Sequence, residues 1–419
     1  MNKNIFSWLV YDVANSFLAV AIGGLFLGQW VILDNKFNDI WYGGVFALST
    51  IILLLSSPFW GGWSDKIGKR LPFIRWLTVV LIALNGLMVF LVFSNLSSKV
   101  KVFFVLGVVV FIQYTYQISL IFYNSLLEKI STQRNRGRIS GLGEAFNNFG
   151  WIIATAFLIL FATNKINIIG GPGRAQIFLP AFIIFTLLSL PLLFLFRETA
   201  TIKKEKIDSI GVYKKTVLGL KKLFKSNKNV FMFLIGFSLV SDAILTAQIY
   251  FAVVMESLYK VTDTQKFPIL ALMFLITIIA SYILGRISDK IGNKIIIVLS
   301  CLILIGIFSL AFLSSAVFVL YLLAIFAGIG WAGYYVATRS MMIKISPPDE
   351  LGEYLSFYSI FQRFASVIGP LIWGIVTILL SNYGEFKHRV AGLTLVAIMV
   401  IGVFILKNVR EEKNINEII

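Results

Sequence analysis

The chain carries the stretch Gly61-Gly62-Trp63-Ser64-Asp65-Lys66-Ile67-Gly68-Lys69-Arg70, and it carries a second copy, Gly285-Arg286-Ile287-Ser288-Asp289-Lys290-Ile291-Gly292-Asn293-Lys294. The two copies share the pattern G-x-x-S-D-K-I-G-x-K/R. A second pair of similar segments, 124–131 and 339–346, occurs in the same order. Two repeats in the same order predict that the chain consists of two duplicated halves.

Twelve apolar runs surround these repeats, and each has about the length that a bilayer-crossing helix needs, ~20 residues. The runs cover 5–33, 41–64, 72–94, 102–128, 138–162, 177–196, 230–257, 267–287, 293–313, 316–342, 352–380 and 388–407. The ten-residue stretch follows the second run and again the eighth. The sequence therefore predicts an all-α integral membrane protein with twelve transmembrane helices in two six-helix pseudo-repeats. This arrangement is typical of secondary transporters.

The composition excludes a water-soluble enzyme. Of 419 residues, 58% are hydrophobic and 14% are charged, whereas a soluble domain is about 25% charged. The mean hydropathy is +0.88. The single cysteine, Cys301, allows no internal disulfide or thiolate metal cluster. The single histidine, His388, falls in a polar gap and is expected at the surface. We predict no catalytic residues, no metal and no cofactor.

The charge distribution predicts orientation and partners. The net charge is +17, and most of the 37 Lys and Arg residues lie in the termini and in alternate connections. Because positively charged segments stay inside, both termini are predicted to be cytoplasmic in a multi-pass protein of the cell membrane. Basic groups in these gaps favour membrane lipid as a partner over nucleic acid. We divide the chain into an N-terminal half (1–196), a basic linker (197–229), a C-terminal half (230–407) and a cytoplasmic tail (408–419).

The ten-residue stretch has a conformational interpretation. Gly61 lets a neighbouring helix approach closely, Asp65 needs a cation or a helix N-terminus as its partner, and Gly68 permits a tight turn. Glu128 and Arg339 end the fourth and tenth runs, and they either meet across the two halves or stay solvated. The residues predicted to control conformation are Gly61, Asp65, Lys66, Gly68, Arg70, Glu128, Asp289 and Arg339.

These segments resemble the major facilitator superfamily, since 61–70 is similar to its signature between helices two and three, and 285–294 to the degenerate second copy. The resemblance implies that Asp65 joins the halves on the cytoplasmic side, near the start of helix eleven. A narrower resemblance is to the vacuole-effluxer-like branch. It rests on S-W-L-V-Y-D-V-A-N-S at 7–16, Y-N-S-L-L at 123–127, R-G-R-I-S-G-L-G at 136–143, R-S at 339–340, I-S-P-P at 345–348 and G-P-L at 369–371. The fungal vacuolar members are associated with amino-acid export, which implies amino acids as solutes.

Polar side chains inside apolar runs are costly and usually face a cavity or a partner. Helical spacing groups such residues on single faces of helices one, four and five. These candidates for solute binding or coupling are Asp12, Asn15, Gln113, Gln117, Asn124, Glu144 and Asn147. In the second half, Asp242 and Arg363 either form an ion pair or hold the ammonium and carboxylate groups of a zwitterion.

The predicted function is secondary active transport of a small polar solute by alternating access. Amino acids are one substrate hypothesis, and sugars, drugs and organic anions stay open. Proton coupling is a further hypothesis, because Asp12, Glu144 and Asp242 could titrate when desolvated. A membrane sensor or partner-binding protein on the same scaffold is the alternative function, and the oligomeric state is left open. Glu256 and Asp263 are expected to be solvated at the outer surface.

Overall fold

The structure is a computed structural model that describes residues 3–67, 69–132, 136–168, 173–198, 223–224, 227–347 and 350–411, with the side chains at 58, 61, 62, 64–67, 128, 136–138 and 352 outside the description. Within these residues, twelve helical spans are long and apolar enough to cross a membrane. The twelve-helix, all-α prediction is therefore confirmed.

The described residues group into two compact units. The first lies within Met1–Tyr213 and also takes Ile249–Val253 and Thr262–Phe267, and the second takes the remainder. The first six spans are α1 (Lys3–Asp34), α2 (Asp39–Ile67), α3 (Leu71–Val92), α4 (Ser98–Ser125), α5 (Arg136–Ala162) and α6 (Phe178–Phe194). The next six are α7 (Lys228–Tyr259), α8 (Asp263–Ile291), α9 (Asn293–Leu313), α10 (Phe318–Ile345), α11 (Glu353–Leu379) and α12 (Phe386–Asn408).

Two of these spans are irregular. In α1, π-helical turns occupy Ala19–Gly24 and Trp30–Asp34, and such turns are frequent at functional sites. The span α11 is broken into two helical segments. The first is Leu351–Phe364, which begins two residues before the span, and the second is Ile368–Leu379. Pro370 accounts for this break, because a proline ring clashes with the carbonyl four residues earlier and has no amide hydrogen for the helical hydrogen bond. The break places Gly369 at the start of the second segment.

In the first unit, the end of α6 is fastened to the starts of α1 and α3. The Asn4 side chain donates to the Arg197 carbonyl (2.8 Å) and accepts from the Arg197 amide (3.0 Å). The next residue, Glu198, accepts from the backbone amides of Arg70 (3.0 Å) and Leu71 (2.8 Å). A carboxylate at a helix N-terminus satisfies amides that have no partner within the helix.

The second unit repeats this arrangement internally. The Asn229 side chain donates to the Arg410 carbonyl and accepts from the Arg410 amide, both at 2.8 Å. Glu411 then accepts from the amides of Asn293 (3.0 Å) and Lys294 (2.9 Å) at the start of α9. Both clamps use an Asn in the first turn of the first helix of the half and an Arg-Glu pair after the sixth, so the duplication extends beyond the segments found in the sequence.

His388 is not at the surface, so that expectation was wrong. Its side chain is 3% exposed, and its ring stacks on Trp373 with centroids 6.1 Å apart. The reason is that α12 begins at Phe386, which brings the polar gap into the helix.

Candidate functional site

An aromatic stack joins α1 to α4 in the first unit. The rings of Trp8 and Tyr123 are nearly parallel, with centroids 5.0 Å apart. The Tyr123 hydroxyl donates to the Trp8 carbonyl (2.9 Å), and the Trp8 indole donates to the Tyr123 carbonyl (3.3 Å). This pair fixes α1 one helical turn before Asp12.

Asp12 lies in a polar, nearly closed environment. Its side chain is 8% exposed, and its carboxylate lies beside the Tyr123 hydroxyl and the Asn147 side chain. One turn further along α1, Ser16 donates to the Asn147 carbonyl (3.1 Å). A glycine of α5 makes this approach possible, because a Cβ on Gly143 would lie 2.5 Å from the Trp8 ring. The structure therefore brings Asp12 and Asn147 together.

The other predicted residues of the first unit are more dispersed. Asn15 is 1% exposed, and neither polar atom of its side chain hydrogen-bonds a described residue. Gln113 is 9% exposed, and the Gln117 amide lies 3.4 Å from the Ser49 hydroxyl. Asn124 and Glu144 are exposed. Of these residues, Asn15 is the one that lies with Asp12 in α1, and both are buried.

The second unit contains a buried carboxylate without a side-chain partner. Asp242 of α7 is 2% exposed, the backbone amide of Gly369 lies beside its carboxylate, and no described side chain hydrogen-bonds it. The Thr246 hydroxyl, one turn further along α7, has no such partner either. Both side chains face Gly369, where an added Cβ would lie 2.1 Å from the Thr246 Oγ1 and 2.8 Å from the Asp242 Oδ2. Only glycine fits at this point of contact between α7 and α11.

The expected ion pair between Asp242 and Arg363 is not formed, so that alternative was wrong. Asp242 faces the second segment of α11, whereas Arg363 lies at the end of the first segment. The break between the segments therefore separates the two charges. Arg363 is half-buried, and no described residue forms a hydrogen bond or ion pair with its guanidinium. The second unit thus holds two opposite charges that do not neutralise each other.

A tyrosine also fixes α7 just before Asp242. The Tyr334 ring of α10 stacks on Phe237, with centroids 6.1 Å apart, and its hydroxyl donates to the Phe237 carbonyl (2.8 Å). The Ser241 hydroxyl lies 3.0 Å from the same Tyr334 oxygen. Sequence reasoning missed Tyr334, Thr246 and Gly369. One of them had a signal in the sequence. The spacing Asp-x-x-x-Ser at 12–16 recurs as Asp-x-x-x-Thr at 242–246, and this could have revealed Thr246.

The predicted conformational residues are only partly described. Gly68 lies outside the described residues, as do the surroundings of Gly61 and the side chains of Asp65, Lys66 and Glu128. Arg70 is placed by the bond from its amide to Glu198, and Asp289 and Arg339 are exposed.

Asp263 is not solvated, which corrects another expectation. It is 8% exposed and accepts hydrogen bonds from Arg174 (2.9 Å) and Lys266 (2.7 Å). Its partner Arg174 is 89 positions away in the sequence, which local patterns could not reveal. Among the described residues, no group of three or more His, Cys, Asp or Glu side chains could hold a metal ion.

A sequence model of the Major Facilitator Superfamily matches residues 6–265 and 252–418. The chain belongs to this superfamily. Among its relatives in the superfamily is the uncharacterized MFS-type transporter YxiO of Bacillus subtilis, which is 22% identical over 97% of this chain and 94% of that protein. Autophagy-related protein 22 of Pichia angusta is 24% identical over 42% of this chain and 34% of its own length.

Solved major facilitator structures share the fold. The nucleoside transporter NupG superposes with a TM-score of 0.75 at 15% identity, covering 99% of this chain and 100% of NupG. Likeness at this identity concerns the fold alone. Together with the family match, it makes this chain a multi-pass transporter of the major facilitator type.

Proposed function

We propose that this transporter moves a small zwitterionic solute of the amino-acid class, and that Asp242 and Arg363 hold its ammonium and carboxylate groups. The observation that carries the proposal is the buried Asp242 carboxylate, which no described side chain hydrogen-bonds or neutralises. A charged side chain within a membrane span costs about 3 kcal/mol by insertion scales, and such residues mark substrate or ion pathways. An ammonium group or a proton would neutralise Asp242, and a carboxylate would form a two-bond contact with Arg363.

The amino-acid class has support from two sides. A zwitterion offers one group to each of the two unpaired charges in the second unit. The similarity of 7–16, 123–127 and 136–143 to the vacuole-effluxer-like branch implies the same solute class. Partial similarity to autophagy-related protein 22 agrees with that resemblance.

Transport would be secondary active and would follow alternating access. In this proposal the halves 1–196 and 230–407 move as bodies, and 197–229 is the cytoplasmic linker between them. Protons are the proposed coupling ion, with Asp12 and Asp242 as the groups that exchange them. The proposed location is the cell membrane, with both termini in the cytoplasm and basic connections beside anionic lipid.

The test is solute counterflow in proteoliposomes that contain the purified protein. Vesicles are loaded with amino acids, sugars, nucleosides and organic acids, and exchange is read by mass spectrometry with and without a pH gradient. We expect selective amino-acid exchange that the gradient accelerates. Asp242→Asn and Arg363→Gln should each abolish it, since each removes one of the charges that contact the solute.

Controls separate binding from folding. Arg363→Lys keeps the charge but loses the two-bond geometry, so it should retain part of the exchange. Lys165→Gln removes an exposed positive charge and should exchange as the unaltered protein does. Exchange of sugars or nucleosides alone would overturn the zwitterion assignment, and folded protein that exchanges no solute would favour the sensor alternative.

A further inference from the structure

A cavity with polar walls lies in the first unit. Its volume is about 840 Å³, which is within the range of small-molecule sites. None of the residues considered for the solute site lines it. Its walls come from the end of α1, the connection between α3 and α4, the start of α4 and the turn before α6, and they include Asp34, Asn35, Ser98, Lys101, Arg174 and Asp263. In the proposed orientation this end of the unit faces outwards.

Four charges on one side of the cavity neutralise one another. The Asp263 carboxylate accepts from Lys266 (2.7 Å), Arg174 (2.9 Å) and Gln29 (3.1 Å). The Arg174 guanidinium also reaches Asp34 at 2.7 Å. Arg174 and Asp263 are 12% and 8% exposed, so this side of the cavity is a built, largely buried structure with no net charge.

Lys101 is a fifth charge at the cavity, and the four mutually neutralised charges leave its positive charge unbalanced. It lines the cavity and is half-buried, and its ammonium group forms no ion pair with a described residue. It stands in the first turn of α4, where no acidic residue and no side-chain cap meets the helix amides. The cavity therefore combines a free cation with neutral donors from Asn35, Asn95 and Ser98.

We propose that this cavity binds a small molecule or headgroup that carries a phosphate or carboxylate, with Lys101 as its charge partner. An anionic group would neutralise Lys101 and complete the start of α4. The site is separate from Asp242 and Arg363. The anion-site proposal does not depend on which solute the transporter moves. Either proposal can therefore fail while the other stands.

The test is protection of individual lysines against acetylation by an uncharged reagent, read by peptide mass spectrometry on the full-length protein in nanodiscs. Lys99 is the internal control, because it lies two positions away on α4, is exposed and does not line the cavity. In phosphatidylcholine nanodiscs, inorganic phosphate should slow the acetylation of Lys101 about tenfold, which corresponds to about 1.4 kcal/mol. The rate at Lys99 should not change, and sodium chloride of matched ionic strength should protect neither lysine.

The same readout separates the two sources of the anion. Protection of Lys101 in phosphatidylglycerol nanodiscs without added phosphate would assign the site to a lipid headgroup, and protection by dissolved phosphate would assign it to a free anion. Thermal unfolding gives a second readout. Phosphate should raise the melting temperature of the unaltered protein, Lys101→Arg and Lys99→Gln, but not that of Lys101→Gln. Equal behaviour of Lys99 and Lys101 in every lipid would overturn the proposal.

Discussion

The first helix of each half carries an aspartate, and the two aspartates have different surroundings. Asp12 lies beside the Tyr123 hydroxyl and the Asn147 side chain, whereas Asp242 has only the backbone amide of Gly369 beside it and no side-chain partner among the described residues. The frame around them is otherwise similar. A tyrosine ring from the fourth helix of the half stacks about one turn earlier, and a hydroxyl residue follows one turn later against a glycine.

This difference indicates which of the two carboxylates is more available to a ligand. Duplication has kept the packing of the two halves, while the partners of the two carboxylates have diverged. A carboxylate with side-chain partners contributes to structure, and one without a side-chain partner is more available to a ligand. The comparison therefore supports the proposal that Asp242 binds the solute, and it favours a positioning role for the groups around Asp12.

The largest effect on stability is expected at Gly369. Gly369→Ala places a Cβ 2.1 Å from the Thr246 hydroxyl and 2.8 Å from Asp242, and overpacking of this kind costs about 1–3 kcal/mol. Thermal unfolding in detergent should show a lower melting temperature. Gly306→Ala is the matched control, because a Cβ there meets nothing within 4 Å. Adding Thr246→Ala should restore much of the loss, and failure to do so would show that the glycine has another task.

The next effect compares the two aspartates directly. Asp242→Asn keeps the shape and an acceptor for the Gly369 amide, but it removes a buried charge that no described side chain neutralises. At neutral pH it should therefore raise the free energy of unfolding by about 1–2 kcal/mol. Asp12→Asn loses contacts to Tyr123 and Asn147 and should not stabilise. Chemical or thermal unfolding of both variants at the same pH measures the contrast. Stabilisation of both by the same amount would remove the distinction between the halves.

A smaller effect is expected from the two tyrosine hydroxyls. Tyr123→Phe and Tyr334→Phe each remove a bond to a carbonyl of the first helix of the half, at 2.9 and 2.8 Å. Each should cost about 1 kcal/mol, the usual net value of a hydrogen bond. Of the two tyrosines, only Tyr123 lies beside an aspartate. The free energies of unfolding should therefore be non-additive in the double variant Tyr123→Phe with Asp12→Asn. They should be nearly additive in Tyr334→Phe with Asp242→Asn.

The smallest effect concerns the glutamate clamp of the second unit. Burial acts to raise the pKa of Glu411, but hydrogen bonds from the Lys294 and Asn293 amides outweigh it and lower the pKa below its usual value. The stabilisation is therefore complete above the usual pKa and is lost as the pH falls through the lowered one. Melting temperatures of the unaltered protein and Glu411→Gln should differ at neutral pH and converge on acidification. A difference that persists in acid would exclude the carboxylate as its source.

Much of the fold follows from apolar length alone. The run at 72–94 became α3 at Leu71–Val92, and the run at 293–313 became α9 without change. A spanning helix must satisfy its backbone internally, so such runs permit few structures. Helical stripes also selected Asp12 and Asn147 as polar residues of helices one and five, and the structure brings these two side chains together.

The remaining features depend on contacts that no local pattern contains. Because of the break before Pro370, Asp242 faces Gly369 on the second segment of α11, and Arg363 lies on the first. The apolar run 352–380 predicts a continuous helix instead. Asp263 was expected in water because its partners Arg174 and Gln29 are 89 and 234 positions away. Burial of a charge is decided by such distant neighbours, which a single sequence does not disclose.

The paired clamps have a consequence for chain connectivity. Each half ties its own beginning to its own end, through Asn4 with Arg197 and through Asn229 with Arg410. Each half is thus closed on itself and does not rely on the covalent link to its neighbour to hold its first and sixth helices together. Two separately encoded fragments, divided within 199–222 and produced in the same cell, should therefore assemble into a working pair.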